Sequence, residues 1–291
     1  NKALFDTGMK IGKSVRQFLP GALQKKVPQA KSMKKPVIGS HTRKVFILDG
    51  CVQPGMMPTI DEATMLVLDR LGVQAVVAPK SGCCGAVKFH LNDHDGARTQ
   101  MRANIDAWWP QIEKGEVEAL VMNASGCGVT VREYGFYLEN DPAYADKAKK
   151  ISELTVDIGE FLAREADLSA LTSIVADGIQ ANRVPAKIAY HPPCTLQHGQ
   201  QVKGVVEKVL TDCGFELVPV QDSHLCCGSA GTYSVLQPKL ANELKKRKLA
   251  NLMSNGPQAI ASSNIGCLAH LESDAQVEVR HWIEWVARAI D

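Results

Sequence analysis

The chain has 291 residues, 45% hydrophobic and 22% charged, a globular composition long enough for two ordinary domains of roughly 100–150 residues each. No apolar run approaches the roughly 18 residues that a bilayer span needs, and the first residues lack the apolar core and small-residue cleavage site of a secretory leader. The formal net charge is +2, yet residues 1–44 hold eleven Lys or Arg against Asp6 alone, leaving 22 basic and 30 acidic residues over 45–291; so acidic a body argues against nucleic acid as the main partner.

In chain order, the first stretch opens on Asn1 rather than Met, and the chain is expected to be a piece of a longer protein. Leu4, Phe5, Ile11, Val15 and Phe18 fall partly at helical spacing among Lys2, Lys10, Lys13 and Arg16. An amphipathic helix for an anionic membrane surface, a contact with a neighbouring domain, and a solvated linker are the three readings of residues 1–44. Val45-Phe46-Ile47-Leu48 then reads as a buried strand leading to Cys51, and Ala63 to Leu71 as an amphipathic helix stopped by Gly72. Ala75-Val76-Val77-Ala78-Pro79 is a second strand, followed at once by Cys83-Cys84-Gly85. Another helix follows, carrying Trp108-Trp109, which reads as core or interface. A third strand, Ala119-Leu120-Val121-Met122, runs into Asn123-Ala124-Ser125-Gly126-Cys127, and a closing helix lies near Asp157–Arg164.

After a linker expected at 167–186, the same order returns. Ile188-Ala189-Tyr190 precedes Cys194, and Val205 to Cys213 is a helix ending at Gly214. Glu216-Leu217-Val218-Pro219 leads toward Cys226-Cys227-Gly228. Ala259-Ile260-Ala261-Ser262 leads into Asn264-Ile265-Gly266-Cys267, and the last helix is near Trp282–Ala289. Cys51, Cys83 and Cys84 recur 143 residues on as Cys194, Cys226 and Cys227; Cys127 recurs 140 residues on as Cys267; and the gap from the first cysteine to the pair is 31 residues in both sets. The pattern predicts two pseudo-symmetric Rossmann-like α/β domains, at 45–166 and 187–291, with parallel sheets and cysteine-bearing loops at the strand carboxyl ends. Such loops gather on one sheet edge, so four thiols distant in sequence can converge there.

Nine cysteines without secretory features point to a reducing, cytoplasmic setting, where clustered thiols serve as metal ligands or catalytic groups more often than as disulfides. Cys51, Cys83, Cys84 and Cys127 form one candidate ligand set, and Cys194, Cys226, Cys227 and Cys267 the other. Adjacent cysteines with long gaps to the rest suit an iron–sulfur cluster better than the paired hairpins of zinc sites; zinc and a reactive dithiol remain the alternatives. Gly85 and Gly228 permit positive φ and close backbone approach to the cofactor. Cys213 matches the apolar Leu71 and reads as a core thiol. His270, three residues after Cys267, is a ligand candidate specific to the second copy. His191 and His224 read as packed side chains or donors behind the ligands. There is no nucleotide-binding fingerprint and no acid–base pair suited to hydroxy-acid oxidation, so no catalytic residue is assigned.

Cys-x31-Cys-Cys-Gly with a distant further cysteine resembles the cysteine-rich CCG domain. That domain occurs in pairs in heterodisulfide reductase, in lactate utilisation protein A, in anaerobic glycerol-3-phosphate dehydrogenase and in the iron–sulfur subunit of glycolate oxidase. Ser81-Gly82-Cys83-Cys84-Gly85-Ala86-Val87, Asn104-Ile105-Asp106-Ala107-Trp108-Trp109-Pro110, Asp222-Ser223-His224-Leu225-Cys226-Cys227-Gly228-Ser229-Ala230-Gly231-Thr232-Tyr233 and Arg280-His281-Trp282-Ile283-Glu284 look most like the last of these. The resemblance covers the chain from about Lys44 onward. It implies a non-catalytic electron-transfer subunit with one iron–sulfur cluster per domain, receiving electrons from flavin-containing glycolate oxidase subunits and passing them toward a quinone or other acceptor. It also implies a peripheral place at the inner membrane face. The family's ferredoxin-like domain is absent from this chain, and residues 1–44 look like the linker that follows it. The fullest CCG motif ends in Cys-x2-Cys, where Thr130 and His270 stand here; four ligands per copy imply a conventional [4Fe-4S] cluster or a modified one. A heterodisulfide-reductase-like thiol enzyme and a metal-stabilised scaffold are the rival expectations.

Overall fold

The computed structural model describes residues 2–24, 26–33, 38–165 and 168–290; the expected domain limits at 166, 167 and 291 lie outside the described residues. Two four-stranded, all-parallel sheets form the frame. The first comprises β1 (Arg43–Ile47), β2 (Val73–Val77), β3 (Ala119–Met122) and β4 (Thr155–Asp157), in the spatial order β2-β1-β3-β4. The second comprises β5 (Lys187–His191), β6 (Glu216–Leu217), β7 (Ala259–Ser262) and β8 (Glu278–His281), ordered β6-β5-β7-β8.

Both sheets therefore reverse direction of growth between their two central strands, β1 and β3 or β5 and β7. At such a switch point the connecting loops part in opposite directions and leave a crevice at the strand carboxyl ends. The expected strands are all present. β6 is shorter than its sequence suggests: Val218 still donates to Ile188 O at 3.0 Å, but Pro219 has no N–H to continue the ladder. β4 and β8, each beside the preceding strand, are additions to the pattern expected from sequence.

The faces of β1 and β3 divide by the two-residue period of a strand. Phe46, Leu120 and Met122 pack outward on Met101, Ile105 and Trp108 of the helix His94–Glu113. Val45, Ile47 and Val121 face a second core that continues into the other sheet through Ile188, Tyr190 and Ile260. The closing helices cross over to build that shared core. Trp282–Ile290, buried on nearly every side, packs on Thr59–Arg70 of the first half, and Thr59 donates to the buried Glu284 at 2.7 Å. Reciprocally, Ile158–Arg164 packs on Val205–Asp212 of the second half. Each fully buried large side chain in this layer contributes about 1.5–3 kcal/mol.

Residues expected as linkers are structured. The helix Ser169–Gln180 packs on Trp282–Ile290, where a Cβ at Gly178 would collide with Ala289 O. The N-terminal helix Lys2–Ser14 lies on the short helix Gln53–Met56, with Phe5 and Asp6 against Gly55 and Lys13 Nζ donating to Gly55 O at 2.9 Å. Leu4, Ile11 and Phe18 remain exposed. Among the described residues no helix is long and apolar enough to cross a membrane.

Candidate metal centre

The crevices predicted by strand order hold the cysteines. Cys51 follows β1, the Cys83-Cys84 pair follows β2, and Cys127 lies in the first turn of the helix Ser125–Arg132 after β3. The four thiols are in mutual hydrogen-bond contact, running Cys51, Cys83, Cys84, Cys127. The pair's loop is clamped from behind. Asn104 accepts from Gly82 N–H at 2.7 Å and donates to Cys83 O at 3.0 Å, while the Tyr134 hydroxyl donates to Cys84 O at 2.8 Å. Trp108 belongs to the core behind this clamp, as expected.

The second set repeats the arrangement. Cys194 follows β5 at the head of a wide turn, Thr195–Gly199; Cys226 and Cys227 follow β6; and Cys267 sits in the first turn of Ile265–Glu272. Contacts run Cys194, Cys226, Cys227, Cys267. The Gly228 N–H donates to Cys226 Sγ at 3.3 Å and the Asn264 side-chain amide to Cys267 Sγ at 3.8 Å.

Gly85 and Gly228 have φ of 97° and 94°, the positive values expected. The close approach they allow is to a helix: a Cβ at Gly85 would lie 3.1 Å from Ala97 O, and one at Gly228 would collide with Ala241 O. Glycine thus presses the Cys-Cys loop against a helix and turns its own N–H toward the preceding thiol.

Contact among thiols separates their acidities. Cys83 is held well below the ordinary thiol range by hydrogen bonds from Cys51 and Cys84, and Cys226 likewise by Cys194 and Cys227. Their partners Cys51 and Cys194 are pushed up, as are the buried Cys84 and Cys227. Cys267 is pulled down by Cys227 and by the His191 imidazole. Contact within each set therefore favours the ionised form at some thiols and the protonated donor at others, and a metal bound there would displace the remaining protons.

His191, Cys227 and Cys267 place their donor atoms within 4.8 Å of one another. The imidazole is 1% exposed, and neither ring nitrogen has a nitrogen or oxygen partner among the described residues. A buried imidazole whose neighbours are thiols fits a bound metal or cluster, because sulfur alone satisfies its ring nitrogens poorly. His191 thus lies against the ligand set, within reach either of a metal or of the Cys267 thiol as a donor behind it. His270 instead contacts Ala241 O through Nε2 at 3.2 Å, and His224 offers its backbone carbonyl to Gln197 and His198. Cys213 is a core thiol pushed up to about 12 by burial.

The two centres open onto one cavity of about 730 Å³, lined from both halves by residues that include Cys51, Cys127, Cys194 and Cys267. Its walls join directly. Ser125 N–H donates to Ser263 O at 3.0 Å, and Gly126 N–H donates to Asn264 Oδ1 at 3.2 Å. Asn264 thereby links the backbone beside Cys127 to the thiol of Cys267.

The cysteine-rich CCG domain matches this chain twice, at residues 45–132 and 188–272. The chain is 47% identical over 291 residues to the glycolate oxidase iron-sulfur subunit of Escherichia coli K12, covering 99% of itself and 69% of that protein. It belongs to the family of glycolate oxidase iron–sulfur subunits built on paired CCG domains. Within that family, a protein of Bacillus subtilis 168 named "Probable glycolate oxidase iron-sulfur subunit" is 26% identical over 84% of this chain and 54% of its own length. Lactate utilization protein A of an Exiguobacterium species shares 22% over 76% of this chain and 85% of its own. The two family matches begin within β1 and β5 and end in the helices of Cys127 and Cys267, so they enclose all eight clustered cysteines.

Proposed function

We propose that this chain is the electron-relay part of a glycolate-oxidising complex. Each four-thiol set holds an iron–sulfur cluster of the [4Fe-4S] type, and zinc is the alternative occupant. The observation that carries the reading is the pair of four-thiol centres facing one cavity and bridged by Asn264. A bound cluster supplies reversible one-electron storage at each centre. The chain's own part is to position thiolates, give N–H donors to sulfur from Gly85, Gly228 and Asn264, and shield the buried Cys84 and Cys227 from water. Glycolate oxidation to glyoxylate belongs to flavin-containing partner subunits, and a ferredoxin-like domain precedes the relay. The apolar stretches of the cavity wall, among them Leu48, Met56, Phe89 and Val235, suit an acceptor of the quinone class reached at the inner face of the cytoplasmic membrane.

The test is to purify the full-length protein anaerobically, measure iron, zinc and acid-labile sulfide per chain, and record electron paramagnetic resonance after adding glycolate to the assembled complex. Iron and sulfide at both centres, with signals that grow on glycolate addition, are expected. Zinc alone, or iron that no reductant reaches, would overturn the relay reading in favour of a scaffold.

A further inference from the structure

The two centres match in their thiols and differ in what surrounds them. Three residues ahead of the first cysteine of each set stand Leu48 in one half and His191 in the other. Leu48 belongs to the outer core of the first sheet. His191 turns its imidazole onto Cys227 and Cys267.

A second pair differs more. The helices His94–Glu113 and Pro238–Met253 are equivalent, since Ala97 O of one and Ala241 O of the other press on the glycine of the Cys-Cys-Gly turn. Seven residues further along each helix lie Asn104 and Lys248. Both reach the backbone of the loop. Asn104 does so as a neutral amide; Lys248 does so as an ammonium that is 1% exposed and donates to Asp222 O at 2.8 Å and Ser223 O at 3.2 Å. No carboxylate is among its described hydrogen-bond partners, and the charges facing it are those of Cys227, Cys194, Asp222 and Cys226, the Asp222 carboxylate being itself paired with Arg247. The first centre has a cation too, Lys88 facing Cys83, but it is solvent-exposed and paired with Asp93 at 3.0 Å, where water weakens its field.

A cluster gains one negative charge on reduction. Positive charge and hydrogen-bond donors against its sulfurs stabilise the reduced form, and the effect is large in a site shut off from water. Lys248 and His191 act in the same direction, and an imidazole that ligated iron directly would act in that direction too.

We infer that the second centre is the more readily reduced of the two, because Lys248 and His191 line it where Asn104 and Leu48 line the first, so that electrons entering this chain come to rest at Cys194, Cys226, Cys227 and Cys267. The inference rests on the relay reading. The step it describes moves one electron from the first centre to the second, with no bond made or broken, and the electron is supplied from outside the chain. Lys248 and His191 are positioning residues for that transfer and take no part in glycolate chemistry.

The experiment is an anaerobic redox titration of the full-length protein with dithionite, followed by electron paramagnetic resonance. Cys84→Ser and Cys227→Ser variants assign the signals to the two centres. The signal lost in Cys227→Ser is expected to be the one that appears at higher potential. Lys248→Met and His191→Leu should each lower the reduction equilibrium constant of that signal at least about tenfold, which is about 59 mV for one electron, and leave the first centre's midpoint in place. Leu48→His combined with Asn104→Lys should raise the first centre's midpoint. This reciprocal variant decides the matter if His191→Leu loses iron from the second centre, and a first-centre midpoint that stays put in it would overturn the inference. A higher-potential signal that disappears in Cys84→Ser would also overturn it. Absence of any reducible iron–sulfur signal from the unaltered protein would instead overturn the relay reading, and this ordering with it.

Discussion

The two halves answer the same structural demand with different residues, most plainly where the fourth strand turns into the closing helix. In the first half, Asp157 caps Ile158–Arg164: its carboxylate accepts from Gly159 N–H at 2.8 Å while Glu160 accepts from Asp157 N–H at 3.0 Å. In the second half His281 stands in the same place. Its Nδ1 accepts from Ile283 N–H at 3.2 Å, and Glu284 accepts from His281 N–H at 2.9 Å. Both caps are buried, so both are neutral by preference, yet one is an acid and the other a base. Repetition has conserved positions and hydrogen bonds while leaving charge free to diverge, and the same holds of the residues around the thiols.

The strongest way to break the comparison is to empty one half. Cys227→Ser should remove the second cluster and leave the first, so that iron and sulfide in the chain's two centres fall to about half; Cys84→Ser should do the converse, and Cys213→Ser should change neither. Loss of all the iron from either single variant would show that the centres form one cooperative unit.

The caps give the next largest effect. Burial pushes Asp157 up to about 7 and His281 down to about 3. Below its ordinary value near 6.5, His281 takes a proton in the unfolded chain and not in the folded one, so its contribution is lost as pH falls from about 6.5 to about 3. Asp157 has the opposite sign: the folded chain keeps the proton, and stability is lost as pH rises from about 4 to about 7. Asp61, pushed up to about 6 by burial, adds to the latter trend. Over three pH units each cap is worth up to roughly 4 kcal/mol. Urea midpoints measured from pH 4 to pH 7 should therefore change with pH along a more positive slope in Asp157→Asn than in the unaltered protein, and along a more negative slope in His281→Asn. Parallel curves for the two variants would show that the caps are not the titrating groups.

Gly228→Ala should cost more than Gly85→Ala, about 2–3 against about 1–2 kcal/mol. Both force an L residue into positive φ, but only Gly228 has its helix carbonyl within collision distance. Equal shifts in thermal midpoint would mean that the helix Pro238–Met253 yields. The smallest change is Thr59→Val, which takes one donor from the buried Glu284 and leaves it the bonds from Arg280 and His281. About 1–2 kcal/mol is expected in denaturant unfolding, with iron content unchanged.

Much of the fold and the site is legible in sequence because cysteine spacing and apolar strand runs are local signals. β1, β3, β5 and β7 are short, β-branched or apolar, and bounded by loops, and the eight thiols declare themselves by their offsets. β4 and β8 are hidden because three or four residues, with Glu278 and Arg280 among them, carry no readable period. Lys248 is hidden inside Lys245-Lys246-Arg247-Lys248, which reads as a solvated helix face, although both Lys245 and Lys248 are buried. His191 reads from sequence as a group behind the ligands. The signal that sets it against the thiols is its register, since it occupies the position of the buried Leu48 at the end of an otherwise apolar strand, where a polar ring needs a partner.

The crossing of the closing helices also sets a schedule for synthesis. Val67 and Leu68 of the first half share a core with Trp285 and Val286, whose codons are read long after theirs. A ribosome therefore releases the first half with its inner side bare, and that side stays open while the whole second half is made. Until the helix of Trp285 emerges, the apolar side it will cover is exposed surface of the aggregation-prone kind.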